Sequence, residues 1–286
     1  TGKLGGASVV LELNATDGAK AREGRYFYVR HGVDIPLRGD LETLVEGLPL
    51  RDLALPPYAD VPVFADPATG RPRVVWQGRL EGERYQGTWR DDATGRTLAF
   101  TLQRVATYDP ETLRPDAVET VTRAIVQGVD SGVSSSANIS QKTAPYDFFR
   151  LNVPLQQGPE VAPGDEVAYR MLTDPRTHVR YPRLTRHPNN RKLLAINQLL
   201  EQRHWHLNLE ALACASTAYS DSGPAAGTLG DFDNEVVTVD YLSTTLMSVV
   251  ESGSTYCGGA HPNNHYEPYT LDLTEGGYFD FSHILS

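Results

Sequence analysis

The residues best suited to chemistry lie close together near the end of the chain. The stretch 254–273, STYCGGAHPNNHYEPYTLDL, contains one cysteine, two histidines and several acid and amide side chains. Cys257 beside His261 would form a thiol nucleophile with a base, because a catalytic cysteine needs a neighbour that lowers its pKa. Nearness in sequence is weak evidence for that geometry, and a bond between Cys257 and Cys214 would remove the thiol. We therefore predict no catalytic residue here.

A metal site would use the same stretch. His261 and His265 are four residues apart, a spacing that places two ligands on one face of a helix. An acid to complete the site would come from Glu267, Asp272 or Asp280. Pro262 favours a loop here, and no third ligand is fixed by spacing. We predict no metal and no cofactor, and we expect the His261 imidazole to hydrogen-bond the backbone of its own turn.

Composition favours a globular protein and argues against nucleic-acid-binding and membrane-spanning proteins. The chain has 286 residues, enough for two domains, and 40% are hydrophobic, which predicts a packed core. The net charge of −10 argues against a nucleic-acid partner and would steer a basic protein. No apolar run approaches the roughly 18 residues of a membrane helix. The two cysteines are compatible with one disulfide or with two buried thiols.

Apolar and polar residues alternate through residues 1–105, as in SVVLEL and TLAFTL. Period-two alternation with glycines between or at the ends of the runs predicts an all-β antiparallel meander, closed as a barrel or packed as a sandwich. Residues 106–145 are a predicted linker with one short helix that begins near Asp116.

Residues 146–286 mix helical and strand patterns, which predicts an α+β domain. RKLLAINQLLEQRHWHL after Asn189 and Asn190 is the main amphipathic helix, with an asparagine cap, on an antiparallel sheet. YDFFRLNV and ALACAS are among the predicted strands, and Gly276-Gly277 lies in a hairpin turn. The fold class is therefore α+β, with the all-β domain first.

The segment GSTYCGGAHPNNHYEPYTLDLTEGGYFDFSHIL resembles the signature of the RsiV-type extracellular domain of bacteria. That domain occurs in lysozyme-sensing anti-sigma factors and beside the catalytic domain of a peptidoglycan deacetylase. The shared elements are Tyr256, the GGAHP core at 258–262, the TLDL strand at 270–273 and the Gly276-Gly277 turn, and the helix around Ile196-Asn197 also fits. The resemblance covers about residues 145–286 and leaves the first domain unassigned. The family domain continues past the position of Ser286, so we expect the chain to be truncated there.

The resemblance implies a non-catalytic protein of the bacterial envelope, periplasmic or extracellular, with its leader already removed. Combined with the even cysteine count, that compartment predicts a Cys214–Cys257 disulfide. The implied partner is a basic, lysozyme-like enzyme or peptidoglycan. The anti-sigma and deacetylase roles do not carry over, because the sequence contains neither a sigma-binding segment nor a deacetylase domain. The candidate binding residues are Tyr256, Gly258, Gly259, His261, Asn263, Tyr266 and Tyr269.

Two alternatives stay open at this point. One is a cell-wall carbohydrate hydrolase, or a deacetylase-associated module, that uses the region of His261 and His265. The other is a structural lipoprotein module. Because no enzyme motif and no clustered ligand set is present in the sequence, binding is favoured over catalysis.

Overall fold

A computed structural model describes residues 1–15, 22–53, 62–108, 139–223, 225–228, 232, 234–258 and 261–281. Within the first 103 residues, the described strands form a closed antiparallel barrel in which β1 pairs with both β2 and β8. The strands are β1 Gly2–Leu4, β2 Ala7–Ala15, β3 Arg22–Tyr28, β4 Ile35–Gly39, β5 Thr43–Glu46, β6 Val74–Glu81, β7 Arg84–Asp91 and β8 Arg96–Gln103. The predicted antiparallel meander is confirmed, and it closes as a barrel.

The barrel interior is filled by aromatic side chains, as period-two alternation requires. Trp76 lies at the centre, with ring centroids 5.1 Å from Tyr26 and 4.9 Å from Phe100. Glu46 is buried among them, and one of its carboxylate oxygens accepts hydrogen bonds from Tyr26 Oη (2.8 Å), Trp76 Nε1 (2.7 Å) and Trp89 Nε1 (2.6 Å). This acid therefore organises the polar ends of three aromatic residues in an otherwise apolar core.

The expectation that glycines separate the strands is wrong for Gly24, Gly78 and Gly87, which lie inside β3, β6 and β7. A Cβ atom on Gly78 would lie 2.7 Å from both Phe100 Cζ and Tyr85 Cε2. These rings occupy the space that a side chain would need, so the glycine serves close packing inside the barrel.

The second region is α+β, as predicted. It contains the helices α1 Pro145–Leu151 and α2 Asn190–Ser216 and two antiparallel sheets. The first sheet has the order β11-β10-β9, with β9 Gln156–Val161, β10 Ala168–Thr173 and β11 Arg180–Arg186. The second has the order β12-β13-β14-β15, with β12 Val236–Leu242, β13 Leu246–Thr255, β14 Asn263–Asp272 and β15 Gly277–Tyr278. Apolar residues of α2 pack against both sheets in one core.

The start of α2 agrees with the sequence. Asn189 is the N-cap, and its side-chain oxygen accepts hydrogen bonds from the backbone N–H groups of Arg191 and Lys192. The end of α2 does not agree, because ALACAS was predicted as a strand and lies in the helix. Alanine has the highest intrinsic helix propensity, and burial of Ala211 and Cys214 against the sheets adds to the preference for helix.

The prediction of a strand at YDFFRLNV is also wrong, since residues 145–151 form α1. Pro145 occupies the first helical turn, where a missing N–H costs nothing. Tyr146 faces the barrel, with its ring 5.0 Å from that of Phe27, whereas Phe148 lies 5.9 Å from Trp205 of α2. Contacts on both sides of the segment outweigh the strand preference of its aromatic residues.

Helix α1 thus fills the space between the barrel and α2. The predicted helix near Asp116 and most of the predicted linker lie outside the described residues. The boundaries at 105 and 145 stay predictions. None of the helices in the described ranges has the length and hydrophobicity needed to span a bilayer.

Candidate functional site

The turn between β13 and β14 contains the centre of the predicted site. Gly258 has φ +116°, a conformation that side chains rarely adopt, and a Cβ atom there would lie 2.7 Å from Asp221 Oδ2. The backbone therefore requires glycine at this position. Gly259 and Ala260 lie outside the described residues.

The predicted disulfide is confirmed. Cys214, buried on α2, bonds Cys257 at the start of the turn, with 5.2 Å between their Cα atoms. The bond anchors the turn to the helix beneath it. It also uses both thiols of the chain, so no cysteine nucleophile is available while the bond is intact.

His261 is exposed, and its Nδ1 lies 3.0 Å from the carbonyl oxygen of Pro262. Nδ1 is the donor in that contact, because a carbonyl only accepts. The imidazole thus bonds the backbone of its own turn, as expected. Across the described residues, no group of three or more His, Cys, Asp or Glu side chains could hold a metal ion.

The predicted tyrosines separate onto two sides of the second sheet. Tyr266 stands on the outer face of β14 with 69% of its surface exposed, and Asn263 is exposed at the start of the same strand. Tyr256 is half-buried beside Cys257. Tyr269 faces inward and is only 5% exposed, so its ring is not available to a partner at the surface.

Tyr269 instead belongs to a polar cluster between α2 and the sheet. The Arg203 guanidinium lies 4.1 Å over its ring and binds Glu251 through two contacts, of 2.7 and 2.8 Å. The Tyr269 hydroxyl is 2.7 Å from that of Tyr181, which also contacts Glu251. A bidentate arginine–carboxylate pair compensates both buried charges, and this part of the cluster is structural.

His265 lies next to this cluster. Its Nε2 is 3.0 Å from Glu235 Oε1, and the side chain of Glu235 is only 1% exposed. The contact with Glu235 raises the pKa of His265, and burial raises the pKa of Glu235. The other oxygen of Glu235 has no hydrogen-bond partner among the described residues. The second histidine of the GGAHP region therefore faces an acid under the sheet.

A further acid, Glu210 on α2, shares this region. Burial raises its pKa to about 7, with the charge of Glu235 as the next cause. A carboxyl group with this pKa exchanges its proton near neutral pH, which is the property of a general acid. Glu210 and Glu235 were not predicted as site residues.

The sequence contains one signal for the buried charged residues Arg203 and Glu251, which is their position among apolar residues. Arg203 lies three residues after Leu200 and four before Leu207, on the apolar face of the amphipathic helix. Glu251 lies at an inward position of β13, two residues after Val249. Charges at such positions indicate buried groups. Glu210, three residues after Leu207 and four before Cys214, has the same helical spacing, whereas nothing in the sequence marks Glu235.

No protein-family model matches this chain, and no match was found among curated proteins. The resemblance to the RsiV-type domain thus stays a prediction that depends on residues 256–277.

Proposed function

We propose that the chain is a non-catalytic, extracytoplasmic binding protein and that the surface beside the β13–β14 turn holds a basic, lysozyme-like enzyme. The family resemblance supplies the partner, and the Cys214–Cys257 disulfide favours an oxidising compartment such as the periplasm or the extracellular space. The net charge of −10 favours encounter with a basic protein.

The exposure of the Tyr266 ring is the main observation that supports the proposal. An aromatic ring that is 69% exposed on a paired strand gives a partner apolar area with little loss of side-chain freedom. The register places Tyr266 opposite Ser252, which is opposite Val236, itself 50% exposed. Tyr266 therefore stands beside one small and one apolar residue of the neighbouring strands, near the turn anchored by the disulfide.

Calorimetric titration of the full chain with a purified basic lysozyme at two salt concentrations tests the proposal. We expect saturable binding that weakens at the higher salt, and a loss of at least tenfold for Tyr266→Ala. Tyr241→Ala is the matched control, because Tyr241 is 55% exposed on β12 and pairs near the opposite end of the sheet.

Absence of binding at micromolar concentrations in low salt would exclude the lysozyme-like partner. Pull-down with insoluble peptidoglycan, using the same two variants, then tests the second partner. A Tyr266→Ala protein that binds like the wild type would show that the binding surface lies elsewhere.

A second candidate function, hydrolysis of cell-wall carbohydrate, is favoured by one observation. Glu210 and the His265–Glu235 pair place groups with raised pKa values under the sheet, and glycoside hydrolysis uses a protonated carboxyl as its acid. Release of reducing ends from peptidoglycan that Glu210→Gln abolishes would support it. Wild-type protein that releases none would exclude it.

A further inference from the structure

A cavity of about 450 Å³ opens at one end of the barrel. It lies where β2, β4, β6 and β8 end, and it continues beneath residues 103–108 to helix α1. Its walls are mainly apolar and include Leu11, Leu13, Leu41, Leu80, Leu102 and Phe149. This size and this lining are typical of sites for small molecules, and the mouths of β-barrels are a common place for them.

Tyr85 supplies a polar group inside this cavity. Its ring is fixed against Phe100, with 5.0 Å between centroids, and covers the space left by Gly78. The residue is only 6% exposed, and its buried hydroxyl has no hydrogen-bond partner among the described residues. A buried hydroxyl without a partner destabilises the fold, so its retention here calls for a ligand atom to bind.

Asn14, near the end of β2, supplies a second group. Asn14 lines the same cavity, and its buried side-chain oxygen also lacks a partner in the described part of the chain. Because this oxygen is an acceptor, it needs a donor from the ligand. A hydroxyl group can donate to Asn14 or exchange hydrogen bonds with Tyr85, whereas a carboxylate or ketone can only accept.

The charges around the cavity also bear on the ligand. Glu12 pairs with Arg25 (Nε–Oε1 3.1 Å) and with the Tyr108 hydroxyl, and Glu83 pairs with Arg104. Burial, aided by the charge of Asp40, raises the pKa of Tyr85 to about 12, so its hydroxyl stays neutral. The carboxylate of Asp40 disfavours a negative group at Tyr85. Arg22 also lines the cavity, and a carboxylate ligand therefore belongs in the test.

We propose that this cavity binds a neutral, mainly hydrocarbon molecule that carries a hydroxyl group. The hydrocarbon part occupies the leucine-lined wall, and the hydroxyl exchanges a hydrogen bond with Tyr85. The site is independent of the surface around Tyr266, because none of the residues that line the cavity belongs to β12–β15.

Calorimetric titration of the full chain with decanol, and with decanoate as its anionic counterpart, tests this site. We expect saturable decanol binding and at least tenfold weaker decanoate binding. Tyr85→Phe keeps the ring and removes the hydroxyl, so decanol affinity should fall about 5- to 10-fold, the effect of one neutral hydrogen bond. Tyr28→Phe, at the opposite end of the barrel, should leave the affinity unchanged.

A second variant tests the cavity without its polar group. Leu80 is exposed at the rim, so Leu80→Trp should fill the opening without disturbing the core and should weaken decanol binding at least tenfold. Circular dichroism shows whether each variant folds. If Tyr85→Phe does not fold, the affinity of Leu80→Trp for decanol decides whether the proposal stands. The proposal is overturned if wild-type protein does not bind decanol, if decanoate binds as tightly, or if a folded test variant binds decanol like the wild type.

Discussion

Asp34 of the β3–β4 connection and Arg150 of helix α1 form an ion pair, with 3.1 Å between Oδ2 and Nη1. The same Arg150 donates from Nε to the carbonyl of Gly32 at 2.6 Å, and Asp34 also accepts from the Tyr146 hydroxyl at 2.7 Å. Arg25 from β3 approaches the Asp34 carboxylate at 3.1 Å as well. The barrel and the second region therefore meet through a nearly buried polar network centred on Asp34.

Removal of Arg150 should destabilise this network. Arg150→Met leaves Asp34 buried with one partner fewer, and we expect the free energy of unfolding to fall by about 3–5 kcal/mol. Arg38→Met is the control, because its pair with Glu23 is largely exposed and should cost less than about 1 kcal/mol. Denaturant titration measures both, and equal losses would show that the network does not stabilise the fold.

Loss of the disulfide should have a comparable effect. The bond closes a separation of 43 residues, for which chain-entropy models give about 4 kcal/mol. The Cys214→Ala/Cys257→Ala double variant should lose a similar amount, measured by denaturant titration. Thiol titration of unfolded, non-reduced protein should find no free thiol, and two titrated thiols would contradict the bond.

Glu46 should be needed as an acceptor inside the barrel. Glu46→Leu leaves three buried donors without their acceptor, and we expect a loss of about 3 kcal/mol or more. Glu46→Gln keeps a carbonyl oxygen at the same place and should retain most of the stability. Thermal unfolding of the two variants compares them, and similar melting temperatures would contradict the role of this oxygen.

Glu210 should make stability depend on pH. Its pKa rises from the ordinary 4.5 to about 7 in the fold, so the folded state retains a proton that the unfolded state releases. The stabilisation that the retained proton gives the folded state is fully present below pH 4.5. It is lost as pH rises toward 7, and the free energy of unfolding falls by at most about 3 kcal/mol. Glu210→Gln should remove this fall between pH 4.5 and 7.

The control for Glu210 is Glu275→Gln, which changes an exposed acid in the turn before β15. In the Glu275→Gln protein, the loss of stability attributed to Glu210 between pH 4.5 and 7 should persist. A Glu210→Gln protein with the same pH profile as the wild type would contradict the raised pKa.

The strands of the barrel and the start of α2 were predictable because each depends on local information. Alternation indicates the barrel strands, and Asn189 caps its own helix. The disulfide was predicted from the even cysteine count together with the compartment that the family resemblance implies. Helix α1 was not predictable, because YDFFRL favours a strand until the barrel and α2 pack on either side of it. The glycines inside the strands also required knowledge of what faces them across the barrel.

The candidate site was predictable only at its surface. Residues of the turn, such as Gly258 and His261, are marked by local backbone chemistry, whereas the exposure of Tyr266 and the burial of Tyr269 follow from the packing of β14 on α2. The raised pKa of Glu210 depends on Glu235 and His265, which are distant in sequence and come together only in the fold.

The last turn of α2 joins two parts of the molecule. Cys214 is covalently bonded to the β13–β14 turn, and two residues later Ser216 Oγ accepts a hydrogen bond of 2.9 Å from the backbone N–H of Asp34 in the barrel. A force applied to the turn by a bound partner would therefore reach the Asp34 network through less than one helical turn. Reduction of the disulfide would remove this covalent path. Force on the turn would then be transmitted only through the non-covalent contacts of the sheet.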